Sequence, residues 1–167
     1  MASKNRSRAQ KNSNRGLLMV LGGLAILAFA GGWLWGGSGG SDAGAGTQVV
    51  VYQNPACGCC GKWIAHLERD GFEVEVHKTN EVNRVKEREG ITAATAACHT
   101  ALVEGYVVEG HVPARDIERL LSERPDIKGL TVPGMPAGSP GMEGGRSEPY
   151  DVLAIAHDGS TSVYASH

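Results

Sequence analysis

Apolar and polar positions divide the chain into an N-terminal apolar block and a longer stretch of short alternating segments. Residues 16–35 are apolar with only glycines interrupting them, and twenty helical residues span about 30 Å, the thickness of a bilayer's hydrocarbon core. Residues 36–47 hold no hydrophobic side chain large enough to pack and read as a flexible Gly/Ser linker. From residue 48 the pattern changes to that of a folded domain. Residues 48–53 (Gln-Val-Val-Val-Tyr-Gln) form a β-branched run that predicts a buried strand, ended by Asn54-Pro55. A turn follows, and residues 62–69 predict a helix with Trp63, Ile64 and Leu67 on one face and Gly71 as its stop. Residues 72–77 alternate as a strand with one exposed face, and 81–89 read as a polar surface helix.

Further on, 100–103 and 106–108 flank Glu104-Gly105 as a hairpin, and Pro113 opens a helix with Ile117, Leu120 and Leu121 inward. Residues 129–145 carry three prolines and six glycines, a composition that argues against regular structure. Residues 150–156 and 162–165 predict a second hairpin around His157-Asp158-Gly159-Ser160. The expected order is β-α-β-α-β-β-α with a tail, an α/β class, over one domain of ordinary size at 48–167.

Charge adds a topology. Residues 1–15 hold five basic side chains (Lys4, Arg6, Arg8, Lys11, Arg15) and no acid. Such a flank stays in the cytoplasm, which carries everything after Trp35 across the membrane. Ala28-Phe29-Ala30 fits a signal-cleavage site, while Trp33 and Trp35 suit a retained interfacial anchor. The anchor is the favoured expectation, placing the domain on the periplasmic face of the inner membrane; cleavage would leave it soluble in the periplasm. Beyond residue 15 the chain has 11 Lys+Arg against 18 Asp+Glu, a net of −7, which argues against nucleic acid as a partner.

The chemistry lies in the cysteines. Three of the four fall in Cys57-Gly58-Cys59-Cys60, and the fourth is Cys98, followed by His99. A core has no use for three small hydrophobes in one Gly-rich turn. Two chemistries favour such crowding. Cys57 and Cys60 have the C-x-x-C spacing of a redox pair, and a strand-to-helix turn favours thiolate there. Clustered thiolates also capture soft ions such as Cu(I) or Zn. Adjacent Cys59 and Cys60 should diverge, so several bridged Cu(I) ions suit the spacing better than one tetrahedral ion. Structural zinc, using Cys57, Cys60, Cys98 and His99, leaves Cys59 unexplained. His99, His111, Met135 and Met142 are further candidate ligands, the methionines through soft thioethers. His66, His77 and His157 read as solvated, and Trp63 as core.

The element order resembles the thioredoxin/glutaredoxin fold. More specifically, 57–63 (Cys-Gly-Cys-Cys-Gly-Lys-Trp), Cys98-His99-Thr100, Gly110-His111-Val112-Pro113 and the Pro/Gly/Met string at 132–142 resemble the CopG-type family of thioredoxin-like proteins linked to bacterial copper resistance. The match runs over about residues 49–165. It implies periplasmic copper binding through the C-x-C-C motif and a redox role on copper; the partners expected with such a role are copper ions, copper carriers of the periplasm or a thiol reductant. In glutaredoxin-like proteins the loop before the third strand faces the cysteine turn and usually carries a cis-proline. Here that stretch is Cys98-His99, which favours metal binding over ordinary exchange. The alternative is a thiol–disulfide oxidoreductase with Cys57 attacking and Cys60 resolving.

Overall fold

Strand β1 (Gln48–Gln53) runs at the centre of the sheet's N-terminal half, with Val49 and Val51 fully buried. The structure is a computed structural model that describes residues 46–167. The basic flank, the apolar segment at 16–35 and most of the linker lie outside the described residues, so the expectations about anchoring and cleavage fall there. Among the described residues no helix is long and apolar enough to cross a membrane.

Helix α1 (Gly58–Arg69) begins four residues before the expected start. Its cysteines therefore do not sit in a turn: Cys57 is the N-cap, and Cys59 and Cys60 belong to the first helical turn. The chain reverses upstream instead. The Asn54 side chain accepts from Ala56 N–H at 2.9 Å and its carbonyl accepts from Cys57 N–H at 3.0 Å, closing the corner before the cysteines arrive. Gly58 and Gly61, which suggested a loop, lie in the helix where added side chains would meet open space. Trp63, Ile64 and Leu67 form the buried face, and Gly71 (φ +92) ends the element.

Strand β2 (Glu73–Lys78) pairs parallel with β1 at the sheet edge, where most of it is exposed. Helix α2 (Val82–Arg88) is less of a surface helix than its composition implies, because Val82, Val85 and Lys86 are buried. Strands β3 (His99–Val103) and β4 (Tyr106–Gly110) form the expected hairpin, with Glu104 (φ 44) and Gly105 (φ 88) at its tip. Two consecutive positive φ angles match the twist of a tight hairpin. Helix α3 (Ala114–Glu123) follows Pro113 and buries Ile117, Leu120 and Leu121.

The Pro/Gly-rich tail is not wholly irregular. Its first four residues form β5 (Gly129–Val132), fully buried and parallel to β4. Gly129 is what permits this: a Cβ there would collide with the Val107 carbonyl oxygen, so only glycine allows the close approach. Composition pointed the wrong way because the same absence of a side chain that weakens a strand also lets two backbones meet. Residues 133–150 then contain no helix or strand. Strands β6 (Asp151–Ile155) and β7 (Thr161–Ser166) close the expected hairpin.

The seven strands form one mixed sheet in the order β2-β1-β3-β4-β5-β6-β7, parallel at β1/β2 and β4/β5 and antiparallel elsewhere. Strand alternation sorts the two faces. Val49, Val51, Ala101, Val103 and Val108 pack with Trp63, Leu67, Ile117 and Leu120 of α1 and α3. Leu102 and Val107 share a smaller cluster with Ile91 and Ile155. The cysteine helix thus rests on the larger core, and its N-terminus meets the start of β3 and the end of β4.

Candidate metal and thiol centre

Three chain segments bring sulfur and nitrogen together: the start of α1, the entry to β3, and the exit from β4. In the first, Cys57 and Cys60 are joined as a disulfide with Cα atoms 5.6 Å apart, and Cys59 lies between them as a free thiol. Cys59 Sγ is 3.6 Å from Cys57 Sγ, so adjacent Cys59 and Cys60 do not diverge out of reach as expected. Placing them in the first helical turn rather than in a loop keeps both beside Cys57. The second segment supplies Cys98, also a free thiol, whose sulfur is 3.7 Å from Cys60 Sγ. All four cysteine sulfurs lie within 4.8 Å of one another.

The third segment adds an oriented imidazole. Gly110 (φ +75) turns the chain at the end of β4, where a Cβ would press on Ala97 and on the Val132 carbonyl. His111 follows, fully buried. Its Nδ1–H donates to the Pro140 carbonyl at 2.6 Å, leaving Nε2 as a bare lone pair 3.1 Å from Cys98 Sγ. Burial holds its pKa below the ordinary histidine value, so it is a neutral donor. The next residue, Val112, accepts the Trp63 indole N–H at 2.8 Å, which ties this exit to α1.

His99 is equally buried but differently placed. Its Nδ1 is 3.2 Å from Cys98 Sγ, its ring packs 4.2 Å from Trp63, and its buried Nε2 has no hydrogen-bond partner. Burial, followed by the charges of His111 and Lys86, pushes its pKa down to about 3. Burial and then the neighbouring Cys59 push the Cys98 thiol up to about 12. At neutral pH Cys98, His99 and His111 are therefore neutral.

The loop at 133–150 lies over the cysteines through Gly141 (φ +86). A Cβ there would stand 2.8 Å from Trp63 N and 3.2 Å from Cys59 O, so the loop touches the backbone of α1 directly. Met135 (φ 54) places its sulfur 3.8 Å from Cys59 Sγ. Met142 is held by backbone bonds to Ser139 and Gly138, and among the described residues its sulfur makes no hydrogen bond to a cysteine.

Of the other histidines, His77 and His157 are exposed as expected, paired with Glu75 and Asp126. His66 departs from expectation. It is half-buried, and its Nε2 accepts the Ala114 N–H at 3.0 Å. Pro113 offers no side-chain cap to α3, and the histidine supplies the acceptor from the neighbouring helix instead. Sequence reasoning also missed a buried network beneath Cys98. Lys86 pairs with fully buried Glu109 and donates to Thr100 at 3.1 Å. Glu109 also accepts from Thr100 Oγ1 at 2.7 Å and from Ala97 N–H at 2.6 Å. A glutamate at an inward position of an otherwise apolar strand was the available signal.

Fold and site together define a cysteine-rich α/β domain with a preassembled cluster of soft donors. A family described as "Protein of unknown function, DUF411" matches residues 95–142, which include Cys98, His99, His111 and both loop methionines. Two solved structures resemble the chain, copper resistance protein CopG in form 2 (TM-score 0.70) and in form 1 (TM-score 0.69). Each is 45% identical over 73% of this chain and 98% of its own. None of the curated proteins matches. At that identity and coverage, the chain belongs to the CopG-type copper resistance family.

Proposed function

We propose that this protein binds copper in copper resistance, holding Cu(I) in a polynuclear thiolate cluster of Cys57, Cys59, Cys60 and Cys98. The observation that carries the reading is the gathering of four cysteine sulfurs within 4.8 Å of one another, from two distant segments of the chain. Thiolates select Cu(I), and their short spacing suits bridging between ions. The Cys57–Cys60 disulfide must be reduced before all four can serve, so loading is coupled to thiol redox state. Copper is cargo here. His111 is the better-built nitrogen donor, since its other ring nitrogen is anchored on Pro140. Met135 is the better-built thioether. His99 and Met142 are secondary.

The scaffold reading is thioredoxin-like. The β1-α1-β2-α2-β3-β4-α3 order and the β2-β1-β3-β4 strand order support it, with β5–β7 as an extension. The basic flank and apolar segment support tethering to the inner membrane with the domain on the periplasmic side. Copper carriers and a thiol reductant of that compartment are the partners this reading requires.

A second reading, thiol–disulfide oxidoreductase, is favoured by one observation: the Cys57–Cys60 disulfide at a helix N-terminus. Anaerobic titration of the reduced full chain with Cu(I), against a calibrated chelator and with elemental analysis, separates the two. Tight binding of more than one copper per chain, reduced in Cys59→Ser and Cys98→Ser, supports the copper cluster. Weak binding, together with a disulfide that turns over in an exchange assay, overturns it.

A further inference from the structure

We propose that Cys98 is an internal exchange thiol that attacks Cys60 and moves the disulfide from Cys57–Cys60 to Cys60–Cys98, with His111 as the base. The exchange needs no metal, so it stands independently of the copper reading.

Three distances build the device. Cys98 Sγ lies 3.7 Å from Cys60 Sγ, the fully buried sulfur of the disulfide, so Cys60 is the sulfur attacked. His111 Nε2 lies 3.1 Å from Cys98 Sγ, and its Nδ1–H is fixed on the Pro140 carbonyl at 2.6 Å. A nucleophile, a base within reach and a third group orienting the base is the arrangement that activates a thiol.

The step balances within the chain. Cys98 gives its proton to His111 Nε2 as its sulfur bonds to Cys60 Sγ. The Cys57–Cys60 bond breaks, and its electron pair leaves on Cys57, which then takes up the proton from His111 or from water. One disulfide and two thiols stand on each side, so no oxidant or reductant is consumed. Cys57 is the better leaving group because it caps α1, where the free N–H groups and helix dipole stabilise thiolate.

The exchange changes which thiols are free at one oxidation level. Before it the free pair is Cys59 and Cys98. After it the free pair is Cys57 and Cys59, both half-exposed on the first turn of α1, with sulfurs 3.6 Å apart before the exchange. The free pair then stands together at the start of α1 instead of being divided between α1 and the entry to β3.

The test uses the metal-free full chain carrying Cys57→Ser. Serine is itself a favoured N-cap, so the helix start is preserved. The protein is equilibrated in a glutathione redox buffer, quenched in acid and alkylated, and its disulfides are mapped by peptide mass spectrometry. A predominant Cys60–Cys98 bond with alkylated Cys59 is the expected result. Pairing through Cys59, or glutathione adducts alone, overturns the proposal. Closure of Cys60–Cys98 from the glutathione adduct should slow at least tenfold, of the order expected for loss of a positioned base, when His111→Gln is added. An unchanged rate in a variant with the parental circular dichroism spectrum removes His111 from the step.

Discussion

His111 donates its Nδ1–H to the carbonyl of Pro140 at 2.6 Å, across 29 residues of chain. That bond holds the irregular loop against the cysteine centre and simultaneously selects the imidazole nitrogen that faces Cys98. Loop docking and donor orientation are therefore one event, and the residues that permit docking become part of the site.

Gly141 is the first of these. Its φ of +86 and the 2.8 Å approach to Trp63 N both exclude a side chain. Gly141→Ala should cost about 1–3 kcal/mol through backbone strain alone, with the contact added. Gly134→Ala has a similar φ but open space around it, so it should cost less. Urea denaturation of both variants checks this, and equal losses would show that the contact contributes nothing.

Met135 and Met142 should behave differently despite their similar sequence setting. Met135→Leu removes the thioether beside Cys59 and is expected to weaken Cu(I) binding roughly tenfold, about 1.4 kcal/mol. Met142→Leu, at the secondary thioether, should weaken binding far less. Competition against a chelator of known affinity distinguishes the two, and equal effects would sink the assignment.

The Lys86–Glu109 pair supports Cys98 from below, through the Ala97 N–H that Glu109 accepts. Lys86→Met leaves a buried carboxylate without its counter-charge and should destabilise the fold by about 3–5 kcal/mol. Chemical denaturation at neutral pH measures it. A loss below about 1 kcal/mol, as for a surface pair, would mean that water compensates Glu109.

His99 gives the stability a defined pH dependence. Its folded pKa is depressed to about 3 from an unfolded value near 6.5. Above pH 6.5 both states are neutral and the group contributes nothing. As pH falls from about 6.5 towards 3, the unfolded chain binds a proton that the folded one refuses. Stability should drop by up to about 1.4 kcal/mol per pH unit over that window. His99→Phe, which keeps a ring against Trp63, should flatten the curve between pH 6.5 and 5 in the metal-free reduced protein. Identical slopes in the two proteins would contradict the assignment.

The α/β class, most of the elements and the crowding of thiols were legible in the residue pattern alone. A continuous β-branched run placed Val49 and Val51 inside, helical faces placed Trp63, Leu67, Ile117 and Leu120 there, and thiol crowding at Cys57, Cys59 and Cys60 has few physical explanations. These signals are local: side-chain periodicity and residue type act over a few positions. Tertiary structure decided what depends on distant segments meeting. Gly129–Val132 became a buried strand because Val107 needed a neighbour without a Cβ. Met135 rather than Met142 reached Cys59, His66 became a cap for α3, and Pro140 chose the tautomer of His111. In each case the partner lies far away in sequence or acts through its backbone, which no pattern of side chains announces.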